Sequence, residues 1–196
     1  MNPISVRIAM LISLLLPFSS ACSPDNLSDL LAQVEILNIY REGYTLGKVL
    51  TEGQRATALK HPVEAANPWT FKFKDGDLYV VADKATDRVV ILYERYEATT
   101  RKQVQALVGS LSLNFGDPTV MAHDKIIYWV FGPEGKLTRE QYKKAKQADG
   151  KLNILATVKL NSSMKIMGDA TRADEGSVYY IISSEPVLKL IKSKWK

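Results

Sequence analysis

The sequence predicts an α+β fold, an antiparallel meander sheet with helices packed on one face. Three observations lead there. Apolar residues recur at helical spacing in some segments and alternate with period two in others. Helix caps and turn residues separate these segments at short intervals. The 196 residues are 46% hydrophobic and 24% charged, a composition suited to one globular core or two small fused units.

The elements follow in order. Leu27, Leu30, Leu31, Val34 and Leu37 share one helical face, which places a helix from about Leu27 to Asn38. Gly43, Gly47 and Gly53 interrupt the next stretch, where Leu46, Val49, Leu50 and Leu59 suggest a broken second helix. His61-Pro62 ends it, because proline biases its predecessor away from the helical region. Trp69, Phe71 and Phe73 then alternate with Thr70, Lys72 and Lys74, the pattern of a half-buried strand. Asp75-Gly76 supplies a positive-φ hairpin turn, Leu78–Ala82 the return strand, Asp83–Asp87 a second turn, and Val89–Tyr96 a third strand.

Thr100 and Gln103 have the spacing of a capping box, in which each side chain satisfies an amide at the helix start. Val104, Leu107, Val108, Leu111 and Phe115 form the apolar stripe of the helix that follows, and Gly116 and Pro118 stop it. Lys125–Phe131 reads as a strand and Gly132–Gly135 as a turn. A second capping box, Thr138 to Gln141, opens a polar surface helix that Gly150 ends, with Leu137 and Tyr142 placed as a hydrophobic staple. Leu152, Ile154, Ala156, Val158 and Leu160 alternate as a strand. Met164–Met167 is expected as a short strand, 168–176 as a polar loop, Ser177–Ser184 as the last strand and Pro186–Lys194 as a terminal helix. Taken together, a helix-then-meander unit is used twice, over 27–98 and 99–196, within one compact body.

The start of the chain differs in kind. Arg7 is the only charged residue among the first 21, Ile8–Phe18 is almost wholly apolar, and Ser19, Ser20 and Ala21 are small. These are the parts of a signal peptide spanning 1–21, cut between Ala21 and Cys22. The apolar run is too short to span a bilayer, which needs roughly 20 residues. Cys22, the single cysteine, then begins the mature chain, with 22–26 as a tether. It is either an exposed thiol on a freely secreted protein or a lipid attachment point. A lone exposed thiol in an oxidising compartment invites intermolecular disulfides, which favours lipidation. Loss of residues 1–21 removes one cation, Arg7, and lowers the net charge from +5 to +4. So mild a charge on an exported chain gives no case for a nucleic-acid partner.

Catalytic and metal-binding signatures are absent from the sequence. Two histidines and one cysteine do not make a zinc site, and neither His61 nor His123 has a second ligand at helical spacing. No G-x-S-x-G, phosphate-binding loop, dinucleotide fingerprint or calcium loop occurs, and no cofactor is expected. What stands out is that several strands are apolar on both faces. If helices cover only one side, the other exposes aromatic residues of the kinds enriched in interfaces, and Tyr79, Tyr128, Trp129 and Tyr179 are the candidate surface. The alternative is that helices or loops cover both faces.

"SSAC" at 19–22 resembles a bacterial lipobox, with Ser19 standing where that motif usually has Leu. The resemblance implies anchoring to the membrane by lipid on Cys22. Ser23, where proteins retained at the inner membrane often carry Asp, implies the outer membrane, facing the periplasm. The doubled helix-then-meander layout and the "FGDPT" turn at 115–119 are similar to the BamE (SmpA/OmlA) outer-membrane lipoproteins and the β-lactamase-inhibitor-protein-like fold. The glycine-rich early segment departs from that family's helical hairpin. The resemblance implies non-enzymatic work, binding another envelope protein through the sheet. Two other functions stay open at this point. One is a periplasmic carrier or sensor of an apolar ligand, which needs an enclosed cavity. The other is a hydrolase, which needs His61 or His123 beside a serine and a carboxylate.

Overall fold

The computed structural model describes residues 27–148, 150, 152–167 and 174–193. The expected signal peptide, the expected cleavage site at Ala21–Cys22, the expected tether, most of the 168–176 segment and the last three residues lie outside that set.

The chain begins with α1 (Leu27–Ile36), whose Leu27, Leu30, Leu31 and Val34 are buried as the spacing predicts. The expected broken helix is replaced by two separate elements. A small hairpin, β1 (Tyr40–Arg41) and β2 (Tyr44–Thr45), turns through Glu42 and Gly43, both at positive φ. Positive φ at both central residues is the turn that matches strand twist. After it comes α2 (Glu52–Lys60), opened by a third capping box in which Thr51 and Gln54 exchange both bonds. Gly47 separates the two elements for a physical reason. Its φ is +83°, and a Cβ there would lie 2.9 Å from the Glu35 amide nitrogen and the Leu31 carbonyl oxygen of α1.

Three long strands follow the short β3 (Pro62–Val63): β4 (Thr70–Asp75), β5 (Leu78–Asp83) and β6 (Val89–Thr100). The expected boundary between residues 98 and 99 therefore falls inside a strand. Ala98 there has φ of 48°, close to a register shift on the neighbouring strand between Gly176 and Val178. Thr100 both ends β6 and caps α3 (Arg101–Phe115) through the predicted box, and Gly116 at φ 70° stops the helix. Then come β7 (Val120–Ala122), β8 (Ile126–Gly132), β9 (Gly135–Lys136) and α4 (Arg139–Gln147). The predicted box at Thr138 is present, and α4 buries no residue. The chain finishes with β10 (Ala156–Ser162), β11 (Glu175–Ser183) and α5 (Glu185–Ser193). Met164–Met167 is not a strand. It packs by Ile166, whose amide donates to the Asp124 carbonyl at 2.7 Å.

All strands but the small hairpin join one antiparallel sheet in the order β3-β4-β5-β6-β11-β10-β8-β7, with β9 paired to β8. The residues before α3 build one half and those after it build the other. The halves meet where β6 pairs with β11. One face is the core: Phe73, Val80, Leu92, Tyr180, Val158 and Trp129 are at most 1% exposed and cluster with the buried residues of α1, α3 and α5. The sheet is open at both edges, and the fold is α+β.

Candidate functional site

The other face of the sheet is the candidate site, and its composition follows from register. Reading across one row of paired residues gives Lys74, Tyr79, Tyr93, Ile181, Lys159, Tyr128 and Val120, one from each strand from β4 to β7. Seven strands at about 4.8 Å make a row of roughly 29 Å. The next row holds Arg95, Tyr179, Asn161, Ile126 and Ala122. Of these twelve, Arg95 is exposed and the others are half-buried, whereas most of their neighbours along the long strands, such as Phe73, Val80, Leu92 and Val158, are buried in the core. Only a few positions of this face are fully buried, among them Val81 and Val130.

The side chains on this face hold each other in place. The Tyr79 and Tyr93 rings stack 4.7 Å apart and within 5° of parallel. Lys74 lies over Tyr79, Arg95 over Tyr179 and Lys159 over Tyr128, each 5.5 Å from the ring centroid. That is within the reach of a cation–π attraction. Burial, aided by Tyr79 and Tyr179, pushes the Tyr93 hydroxyl above its ordinary pKa. With Lys72, the face carries four cations. Glu97, further along β6, pairs with Arg95. The result is an aromatic and basic surface.

The sequence brought forward four residues for this surface. Tyr79, Tyr128 and Tyr179 lie on it together. Trp129 is a correction: it is fully buried on the opposite face, against Phe115 of α3, and its Nε1 donates to the Gly116 carbonyl at 2.8 Å. It anchors the end of α3 rather than meeting a partner. Sequence reasoning missed Tyr93, Ile91 and Ile181, and also the cations. The alternations Ile91-x-Tyr93-x-Arg95 and Tyr179-x-Ile181 carried the signal.

On the core side, near the β4–β5 turn, lies a buried ionic cluster. Glu94, 3% exposed, receives the Arg41 guanidinium through two bonds, 2.7 Å from Nε and 2.9 Å from Nη2. The Tyr96 hydroxyl donates to the same carboxylate, and Arg41 lies 5.3 Å from the centre of the Tyr180 ring. Burial raises the pKa values of Tyr96 and Tyr180, with the Glu94 charge adding to both, while the Arg41 charge opposes the rise. Arg41 itself is held more firmly protonated than usual: burial opposes its charge, but the bonds to Glu94 outweigh it. This cluster ties the β1–β2 hairpin to the sheet.

His61 and His123 are both exposed at turns, and neither side chain has a hydrogen bond or ion pair with a described residue. His123 and Asp124 occupy consecutive positive-φ positions of the β7–β8 turn, a conformation His and Asp tolerate better than most residues. Asp124 accepts from the Met167 amide at 3.0 Å, so it fastens a loop. Among the described residues no group of three potential ligands could hold a metal ion, and no helix is long and apolar enough to cross a membrane. Comparison with known proteins returned no match, whether to a protein-family model, a curated protein or a solved structure.

Proposed function

We propose that the protein is a lipid-anchored envelope protein that works without catalysis, as a docking module for another envelope protein. The observation that carries this reading is the open sheet face. Three of the four predicted aromatic residues stand on it, half-exposed, in rows joined by cation–π contacts. Tyrosine offers large contact area with little rotamer entropy to lose, and the four cations suit a partner with apolar and acidic groups. The lipobox-like "SSAC" supplies the anchor, and the outer membrane is the expected address. The layout of the sequence, which resembles that of the BamE lipoproteins, is in keeping with such a role.

The test places a photo-crosslinking amino acid at Tyr128, at Tyr179 or at Leu113, which is 89% exposed on α3. A discrete adduct of the same size should form from the two sheet positions and not from Leu113. Adducts from Leu113 alone, or none from the sheet, would remove this face from the function. In the same cells Cys22→Ser should move the protein from the membrane to the soluble fraction. If the variant still sediments with membranes, anchoring at Cys22 is wrong.

A further inference from the structure

A second site lies apart from the two rows of the open face, at the sheet edge formed by β3 and β4. There α2, β3, β4, Ala65 and the β5–β6 turn border an open cleft of about 580 Å³. Its lining is mostly apolar: Ala58, Leu59, Pro62, Val63, Ala65 and Phe71. The remaining lining residues are Thr70, Arg55, Lys72, Lys84 and Asp87. We infer that this cleft binds one small amphiphile, an apolar chain ending in an anionic head group.

Three observations carry the inference. Leu59 is 83% exposed on a helix whose only buried residue is Ala58, and packing within the described residues does not account for a leucine there. It borders the cleft, where an apolar chain would cover it. The charges at the rim are three cations against one carboxylate. Asp87 already faces Arg55 at 3.3 Å, Lys84 donates to the Pro68 carbonyl at 2.7 Å, and Lys72 has no ion pair or side-chain hydrogen bond to a described residue. An anionic head group therefore meets a net positive rim. The volume, finally, lies within the roughly 300–1,000 Å³ of small-molecule pockets. A protein partner would need about 800 Å² on each side, which favours a small ligand here.

The cleft is open to solvent, so the ligand should exchange rather than be stored. Its anionic head group is the carboxylate of a free fatty acid or the phosphate of a lysolipid, which share this chemistry. The probes are dodecanoate, dodecyl phosphate and uncharged dodecanol, at concentrations where they stay monomeric, titrated into the protein while tryptophan fluorescence is followed, with a Trp69→Phe variant to isolate the Trp69 signal from Trp129 and Trp195. Trp69 adjoins Thr70 of the cleft, and its carbonyl accepts the Lys84 amide at 3.0 Å. Saturable one-to-one binding of both anions is expected, with dodecanol at least threefold weaker. Leu59→Asp, on an exposed position that leaves the fold intact by circular dichroism, should weaken dodecanoate at least tenfold. Lys72→Ala should weaken both anions about threefold to fivefold and leave dodecanol unchanged, the scale of one exposed ion contact. A preference between the two anions would distinguish the carboxylate from the phosphate source. Equal affinity for dodecanol would overturn the anionic head group, and absence of saturable binding, or binding unchanged by Leu59→Asp, would overturn the site. Lys72 is the one cation the cleft shares with the open face, and docking at that face is tested separately by the crosslinking experiment at Tyr128 and Tyr179.

Discussion

Replacing Glu94 by Leu should be among the costliest single changes away from the hydrophobic residues. The carboxylate is 3% exposed and accepts both nitrogens of Arg41 as well as the Tyr96 hydroxyl. Its removal leaves the guanidinium only the exposed Glu42 carboxylate, 3.7 Å from Nε, and leaves the Tyr96 hydroxyl without its acceptor. Breaking a buried pair from one side costs about 3–5 kcal/mol. The Arg41 side chain remains 22% exposed and can recover some water, so the lower end applies, about 3 kcal/mol. For a chain of this size that lowers Tm by roughly 6–12 °C. The control is the double variant Arg41→Met, Glu94→Leu. Replacing both partners by apolar groups removes the stranded charge, and most of the lost stability should return. Thermal unfolding followed by circular dichroism gives all three values at one pH and salt concentration. A single-variant loss under about 1 kcal/mol, the range of an exposed ion pair, would refute the view that this cluster acts as a buried network.

Two further predictions concern backbone and pH. Gly47→Ala should cost about 3 kcal/mol by urea unfolding, because it combines positive φ with a 2.9 Å approach to the α1 backbone, whereas Gly43→Ala, at φ 81° in open space, should cost only about 1 kcal/mol. Equal losses would mean that the approach to α1 adds nothing. Tyr44, Tyr96 and Tyr180 all have raised pKa values, through burial first, so unfolded tyrosines release protons before folded ones. Their contribution to stability is complete below about pH 10 and is lost as the pH rises above it. Tm should therefore fall between pH 9 and 11, and Tyr96→Phe should make that fall shallower; an unchanged slope would argue against Tyr96 as a source.

Local signals were legible in the sequence, and relations between distant residues were not. The capping boxes at Thr100 and Thr138 appear as read, because a cap is decided within four residues. The same spacing at Thr51 and Gln54 was available too, but Gly53 inside it and the glycines before it suggested a broken helix. The β1–β2 turn escaped notice because Glu42 takes the positive-φ position where Asn or Asp usually signals such a turn. Trp129 shows a deeper limit. β8 is apolar on both faces, so alternation alone leaves open which set faces the core. Pairing with β10 and the reach of α3 decide it, sending Ile127, Trp129 and Phe131 inward. For the candidate surface, each strand announced a tyrosine, but only register puts Tyr79, Tyr128 and Tyr179 on a common plane. The Arg41–Glu94 pair spans 53 residues, and nothing local to either residue points to the other.

The seam between β6 and β11 also governs how the chain must assemble. β6 is the longest of the described strands, and its second neighbour in the sheet is β11, which begins only at Glu175. Until residue 183 has emerged, the first half exists only as a sheet with an unpaired edge running down what will become its middle. Such an edge is a template for wrong pairings, and long-range closure of this kind is slow. The first half therefore has no finished edge of its own: the interior closes only when β11 has paired with β6.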